Sequence, residues 1–219
     1  MDTIPRTRLH RPPSPTSSHA SSRWSPGPSC RATPEEARGV MPGDEIVTHP
    51  RYRSTRALTI HASADQVWPW LVQMGQGRGG FYSYDWMENL VGLHIHSADA
   101  VVPELQHLAE GDTVRLVPDG TQPPLHFTVA RASAPHVLVL GPSGGRAEAL
   151  AQGLPYPCWT FQLVDLPERA GCRLVVRFQC DFTPTLRGRL AYRVLLAPVH
   201  YMMERKMMLG IRSRAEPAA

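Results

Sequence analysis

The chain has 219 residues, 23 Lys and Arg against 19 Asp and Glu, a net charge of +4 and 42% apolar residues. That length builds one folded unit with one substantial core. No stretch approaches the roughly 20 apolar residues that cross a bilayer, and no apolar run of roughly 7 to 15 residues near the start marks a secretory signal, so the cytoplasm is the expected location.

Residues 1–33 hold six prolines and seven serines, with Arg6, Arg8, Arg11, Arg23 and Arg31 against Asp2 alone. Such a segment offers too little apolar surface to offset the entropy of ordering, and a disordered tail is expected there. It lacks the amphipathic pattern of a transit peptide. The tail also carries the whole charge excess, since 18 basic and 18 acidic residues remain from Pro34 onward. With the basicity confined to it and no recognition motif present, no nucleic-acid partner is expected. Cys30, Cys158, Cys172 and Cys180 form neither a C-x-x-C pair nor a zinc spacing and read as buried thiols.

In chain order, Thr33, Pro34 and Glu36 are the cap, first position and first turn of a short helix that braces the domain at its start. A strand follows over 54–63, with Leu58 and Ile60 on one face and Ala57, Thr59 and His61 on the other. Ser63 with Gln66 forms a capping box for a helix carrying Val67, Leu71 and Met74, bent by Pro69 and ended by Gly75. The glycine loop "GQGRGG" then leads to a second short helix, with Asp85 and Glu88 at its start and Gly92 as its stop. Strands are expected over 111–118, 125–133, 136–141, 158–166 and 172–182, with residues 143–157 a flexible loop. In the last strand Leu174, Val176, Phe178, Cys180 and Phe182 share a face. Short links make the sheet antiparallel. A helical pattern over about 187–214 places Leu190, Val194, Tyr201, Met208 and Leu209 on its apolar face, and Pro198 must kink or split it. Its seven basic residues against Glu204 make the outer face cationic: a solvated face, or a weak contact with anionic lipid.

This order predicts an α+β helix-grip fold over 34–216. A curved antiparallel sheet wraps a long C-terminal helix, and two short helices follow the first strand.

The segments "HASADQVWPWLVQMGQGRGGFYSYDWMENLVGL", "HSADAVVPELQHLAEGDTVRL" and "MMERKMMLGIRSRAE" resemble a bacterial branch of the SRPBCC superfamily, the START-like, polyketide cyclase/dehydrase and lipid transport group. The resemblance runs over about residues 40–216, with "VWPWLVQMG" and "RGGFYSYDW" its most specific pieces. It implies the fold and a ligand cavity between sheet and helix, and leaves the reaction open, because the superfamily holds carriers, receptors and cyclases.

The glycine loop follows a helix rather than a strand and has no Walker lysine, so it is not a nucleotide loop. Its glycines serve a sharp reversal. Arg78 within it either grips a ligand's acidic group or staples the loop through Asp85 or Glu88. Phe81, Tyr82, Tyr84 and Trp86 suit either the rim of an apolar pocket or ordinary core. His94, His96 and Asp99 lack a fourth ligand, so no metal and no cofactor are expected. His96, Tyr82 and Glu88 are the candidates for moving a proton, and no nucleophile signature is present. The reading is a protein that binds a small hydrophobic molecule through Arg78, Tyr82, Tyr84, Trp86, His96, Trp159, Phe161, Val176 and Phe178. The alternative is a cyclase or dehydratase using the same cavity. No oligomeric state follows from the pattern.

Overall fold

A computed structural model of the protein describes residues 30–83, 97–121, 125–183, 185 and 197–217. Helix α1 spans Pro34–Arg38 and α2 spans Ala64–Val72; both start on complete capping boxes, Thr33 with Glu36 and Ser63 with Gln66. Strands β1 (Tyr52–Ile60), β2 (Thr113–Arg115), β3 (His126–Ser133), β4 (Val137–Pro142), β5 (Tyr156–Leu166) and β6 (Gly171–Asp181) form one sheet in the order β1-β6-β5-β4-β3-β2. Every neighbouring pair is antiparallel. Helix α4, Ala197–Ala215, closes the chain, so the helix-grip architecture is present.

The alternation read in the strands decides which face meets the helix. Leu58 and Ile60 of β1, Trp159, Phe161 and Leu163 of β5, and Leu174, Val176 and Phe178 of β6 pack in one core with Met207, Met208 and Ile211 of α4. Ala57 and Val175 lie on the opposite face under Met41, and Val139 and Cys158 lie there under Val47. Residues 32–48 are thus a strap across the outer face of the sheet. Arg177, with no exposed surface, fixes it: the guanidinium donates to the carbonyls of Glu36, Ala37 and Gly39 and to Asp44 Oδ2 at 2.7 Å. Cys30 is already buried just before the strap, four residues before the expected domain boundary.

Three sequence expectations change. Residues 143–157 contain a helix, α3, over Arg146–Ala151, because R-A-E-A-L-A is rich in strong helix formers and Arg146 anchors on buried Asp181. Helix α2 ends at Val72, with Gln73 as its cap, before Gly75 opens the loop. On α4 the buried face is Glu204, Met207, Met208, Ile211 and Ala215, whereas Tyr201 is exposed. Leu190 and Val194 lie outside the described residues, as does the helix expected after the glycine loop. Pro198 falls in the first turn of α4 as described, where its missing donor costs little.

Candidate functional site

Strand β1 turns Tyr52, Ser54, Arg56, Leu58 and Ile60 toward the helix, so its alternation puts a guanidinium on the core face. On α4, Glu204 shares the buried stripe with Met208, Ile211 and Ala215, spaced by four, three and four residues. The two side chains meet as an ion pair, 10% and 1% exposed. Trp159 Nε1 donates to Glu204 Oε1 at 3.1 Å, and Arg56 also donates to Ser54 Oγ at 3.1 Å. The Arg56 guanidinium lies 4.8 Å over the Tyr201 ring. Two charges removed from water are held here only because each satisfies the other and the Trp159 and Ser54 bonds complete the set.

One turn before Glu204, His200 packs its ring 4.4 Å from Phe178, 6.0 Å from Trp159 and 6.3 Å from Tyr52. Burial pushes its pKa down to about 4, and the Arg56 charge adds to that, so the imidazole is neutral near pH 7. Its Nδ1 is buried and has no hydrogen-bond partner among the described residues. Across this part of the sheet, Trp159 pairs with Phe178, which pairs with Ser54. Trp159 and Phe178 each retain 9% exposure, whereas Phe161 and Val176 one rung further in have none. The sheet–helix interface is therefore closed around Leu174 and Met208, and its least buried aromatic end holds His200.

Trp159, Phe161, Val176 and Phe178 lie in the core between sheet and helix. Tyr82 is buried elsewhere: its hydroxyl donates to the Trp70 carbonyl at 3.1 Å, its ring carries the Arg214 guanidinium at 5.0 Å, and burial pushes its pKa up to about 12. It packs against Gly210, ten residues and about 15 Å along α4 from His200, so Tyr82 is not brought to the aromatic end. Arg78 donates through Nη2 to the carbonyls of Val72 at 3.0 Å and Leu105 at 2.9 Å. It staples the glycine loop through backbone carbonyls. That loop turns on Gly75, Gly77 and Gly80, all at positive φ, and a Cβ on Gly79 would stand 2.8 Å from the Gln73 carbonyl. Tyr84, Asp85, Trp86, Glu88, His94 and His96 lie outside the described residues. Asp99 is exposed and pairs with Arg214 at 2.9 Å.

Arg56, His200 and Glu204 are the residues the sequence reading passed over. Their signal is positional: Arg56 alternates with Leu58 and Ile60, and Glu204 recurs with Met208 and Ile211. Charge counting along the helix hides Glu204, which it groups with the exposed charges. Among the described residues no group of three or more His, Cys, Asp or Glu side chains could hold a metal ion, and no helix is long and apolar enough to cross a membrane.

A separate groove of about 450 Å³ lies on the outer face, between the strap and the sheet, with Val40, Met41, Gln162, Val164 and Arg173 in its lining. Arg173 there is committed to Glu36 at 2.7 Å, Thr59 Oγ1 and the Arg31 carbonyl. Burial alone would push the Glu36 carboxyl up, but the bonds from Arg173 and the Thr33 amide hold it below the usual carboxylate range. This groove's charged groups belong to the attachment of the strap.

No protein-family model matches the chain, and no curated protein matches it. Among solved structures, it is similar to a norcoclaurine synthase point mutant from Thalictrum flavum, at 14% identity over 74% of this chain and 96% of that one, with a TM-score of 0.42. It is similar to protein Ms6760 of Mycobacterium smegmatis, at 12% identity over 76% and 92%, TM-score 0.45. A polyketide-cyclase-like protein, Cgl2372 of Corynebacterium glutamicum, matches at 14% identity over 74% and 86%, TM-score 0.33. The fold assignment stands on the strand order and register given above.

Proposed function

We propose that the protein binds a small hydrophobic molecule, lipid or polyketide-like, at the aromatic end of the sheet–helix interface, and acts in the cytoplasm as its carrier or sensor. The observation that carries this reading is the gradient of burial along one inward face: Trp159 and Phe178 are each 9% exposed beside His200, while Phe161 and Val176 have no exposed surface. Large aromatic side chains with a few converging polar groups are the ordinary lining of a small-molecule site. Tyr84, Trp86 and His96 are assigned to the same lining by the sequence pattern alone. Arg78 is set aside as a polar handle at this end, since its Nη2 serves the Val72 and Leu105 carbonyls, although its buried Nε has no partner among the described residues.

The alternative is a cyclase- or dehydratase-type enzyme using the same space. Its proton-moving group would then come from His200 or from the sequence candidates His96 and Glu88, because the Tyr82 hydroxyl is occupied by Trp70. Native mass spectrometry of the protein purified from cells, followed by denaturing extraction, tests the binding reading. A stoichiometric apolar compound that is lost in a Phe178→Ala variant is the expected result. Equal retention in that variant places the ligand elsewhere.

The anionic-lipid contact expected of the C-terminal helix rests on a ridge where Val199 and Met202 are exposed two turns and one turn before Lys206. Sedimentation with vesicles of neutral lipid, and of neutral plus anionic lipid, tests it. Binding that requires the anionic component and weakens with salt is expected.

A further inference from the structure

Chemistry at the aromatic end restricts the ligand further. Arg56 and Glu204 cancel each other's charge within one ion pair, and Glu204 spends its second oxygen on Trp159. His200 adds a neutral ring. Bringing a charged ligand group to this place would strip its water without offering an uncommitted counter-charge among the described residues, which a low-dielectric site penalises. What the site lacks is one hydrogen bond: Nδ1 of His200 is buried and unpartnered among the described residues. Native proteins leave few such atoms, because each loses its water without a replacement bond while it stays unmet. The surrounding surfaces are the flat faces and edges of Phe178, Trp159 and Tyr52.

We propose that the molecule bound here has a flat, aromatic or polyunsaturated body bearing a neutral hydroxyl, and that this hydroxyl hydrogen-bonds His200 Nδ1 while the body stacks against Phe178 and Trp159. The inference rests on the binding reading above and deepens it by naming the ligand's polar group. A hydroxyl both donates and accepts, so it answers Nδ1 in either neutral tautomer of the ring. The buried Arg56–Glu204 pair holds the Trp159 indole, and with it the wall against which the body lies.

Naphthalene, 2-naphthol and 2-naphthoate, titrated into the full-length protein and followed by tryptophan fluorescence and calorimetry, separate the possibilities. The expected result is 2-naphthol binding about five- to tenfold tighter than naphthalene, despite being less apolar, with naphthoate weakest. In His200→Phe, which keeps a ring against Phe178, naphthalene affinity should persist and the naphthol advantage should vanish. Should that variant fold poorly, imidazole ¹⁵N shifts of His200 in the wild-type protein give the same answer, moving with 2-naphthol and staying with naphthalene. Equal affinity for naphthalene and 2-naphthol, or an advantage that survives His200→Phe, overturns the hydroxyl assignment and leaves the apolar site standing. Tightest binding of naphthoate overturns the neutral anchor. A folded protein that binds none of the three overturns the binding reading itself.

Discussion

Glu204 crosses from the C-terminal helix to Arg56 on the first strand, and both side chains are buried. Removing one partner leaves the other charge stranded in the core, which costs about 3–5 kcal/mol, while replacing both with apolar groups is far less damaging. Glu204→Leu and Arg56→Met should each lower urea stability by about that amount. The double variant should lose much less than the sum, and a double-mutant cycle that shows simple additivity would mean the pair is not coupled.

His200 links stability to pH. Its folded pKa of about 4 lies below the ordinary 6.5, so the unfolded chain binds the extra proton first as pH falls. Stability contributed by the neutral ring is complete above pH 6.5 and drains away between 6.5 and 4, to a total of at most about 3 kcal/mol, because the ring keeps some exposure. Denaturant midpoints of wild type and His200→Phe measured across pH 4 to 7 check this: the variant's curve should be flatter over that window.

Gly210 gives a sign inversion. Glycine in a helix interior is normally improved by alanine by about 1 kcal/mol. Here a Cβ would stand 2.4 Å from the Tyr82 carbonyl oxygen, which is backbone and cannot move aside cheaply. Gly210→Ala should therefore destabilise the protein by about 1–3 kcal/mol, read as a lower melting temperature. A rise in melting temperature would show that α4 and the loop at Tyr82 are not in this contact.

Arg78 separates loop stability from ligand affinity. Arg78→Met removes the donors that satisfy the Val72 and Leu105 carbonyls and should cost about 1–3 kcal/mol. Affinity for an apolar ligand should stay within about twofold, since the side chain does not reach His200. Calorimetry of unfolding and of binding on the same variant gives both numbers.

Local patterns were legible where the responsible residues are neighbours in the chain. Thr33 with Glu36 and Ser63 with Gln66 cap the helices that their spacing announces, and alternation in β6 puts Leu174, Val176 and Phe178 on the helix side. Helix α3 was hidden because its six residues sit between glycines and bury no side chain, so no periodic apolar signal exists. The ion pair was hidden for a different reason: 148 residues separate Arg56 from Glu204, and each side chain is unremarkable until the other is placed against it. Arg78 was read with acidic partners, but its ligands are carbonyls, which every residue carries and no sequence marks.

The strap has a further consequence at the edge of the sheet. Cys30 packs with the helix-side core, its Sγ 4.0 Å from the Arg205 carbonyl, while Ala32 packs with Met41 on the outer face. Between them the chain passes from one face to the other beside β1, the edge strand of the sheet. At the opposite flank β2 is three residues long. A foreign strand seeking unpaired backbone groups meets a crossing chain on one side and almost no ladder on the other. The same residues that brace the sheet therefore guard it against the edge-to-edge growth that leads to aggregation.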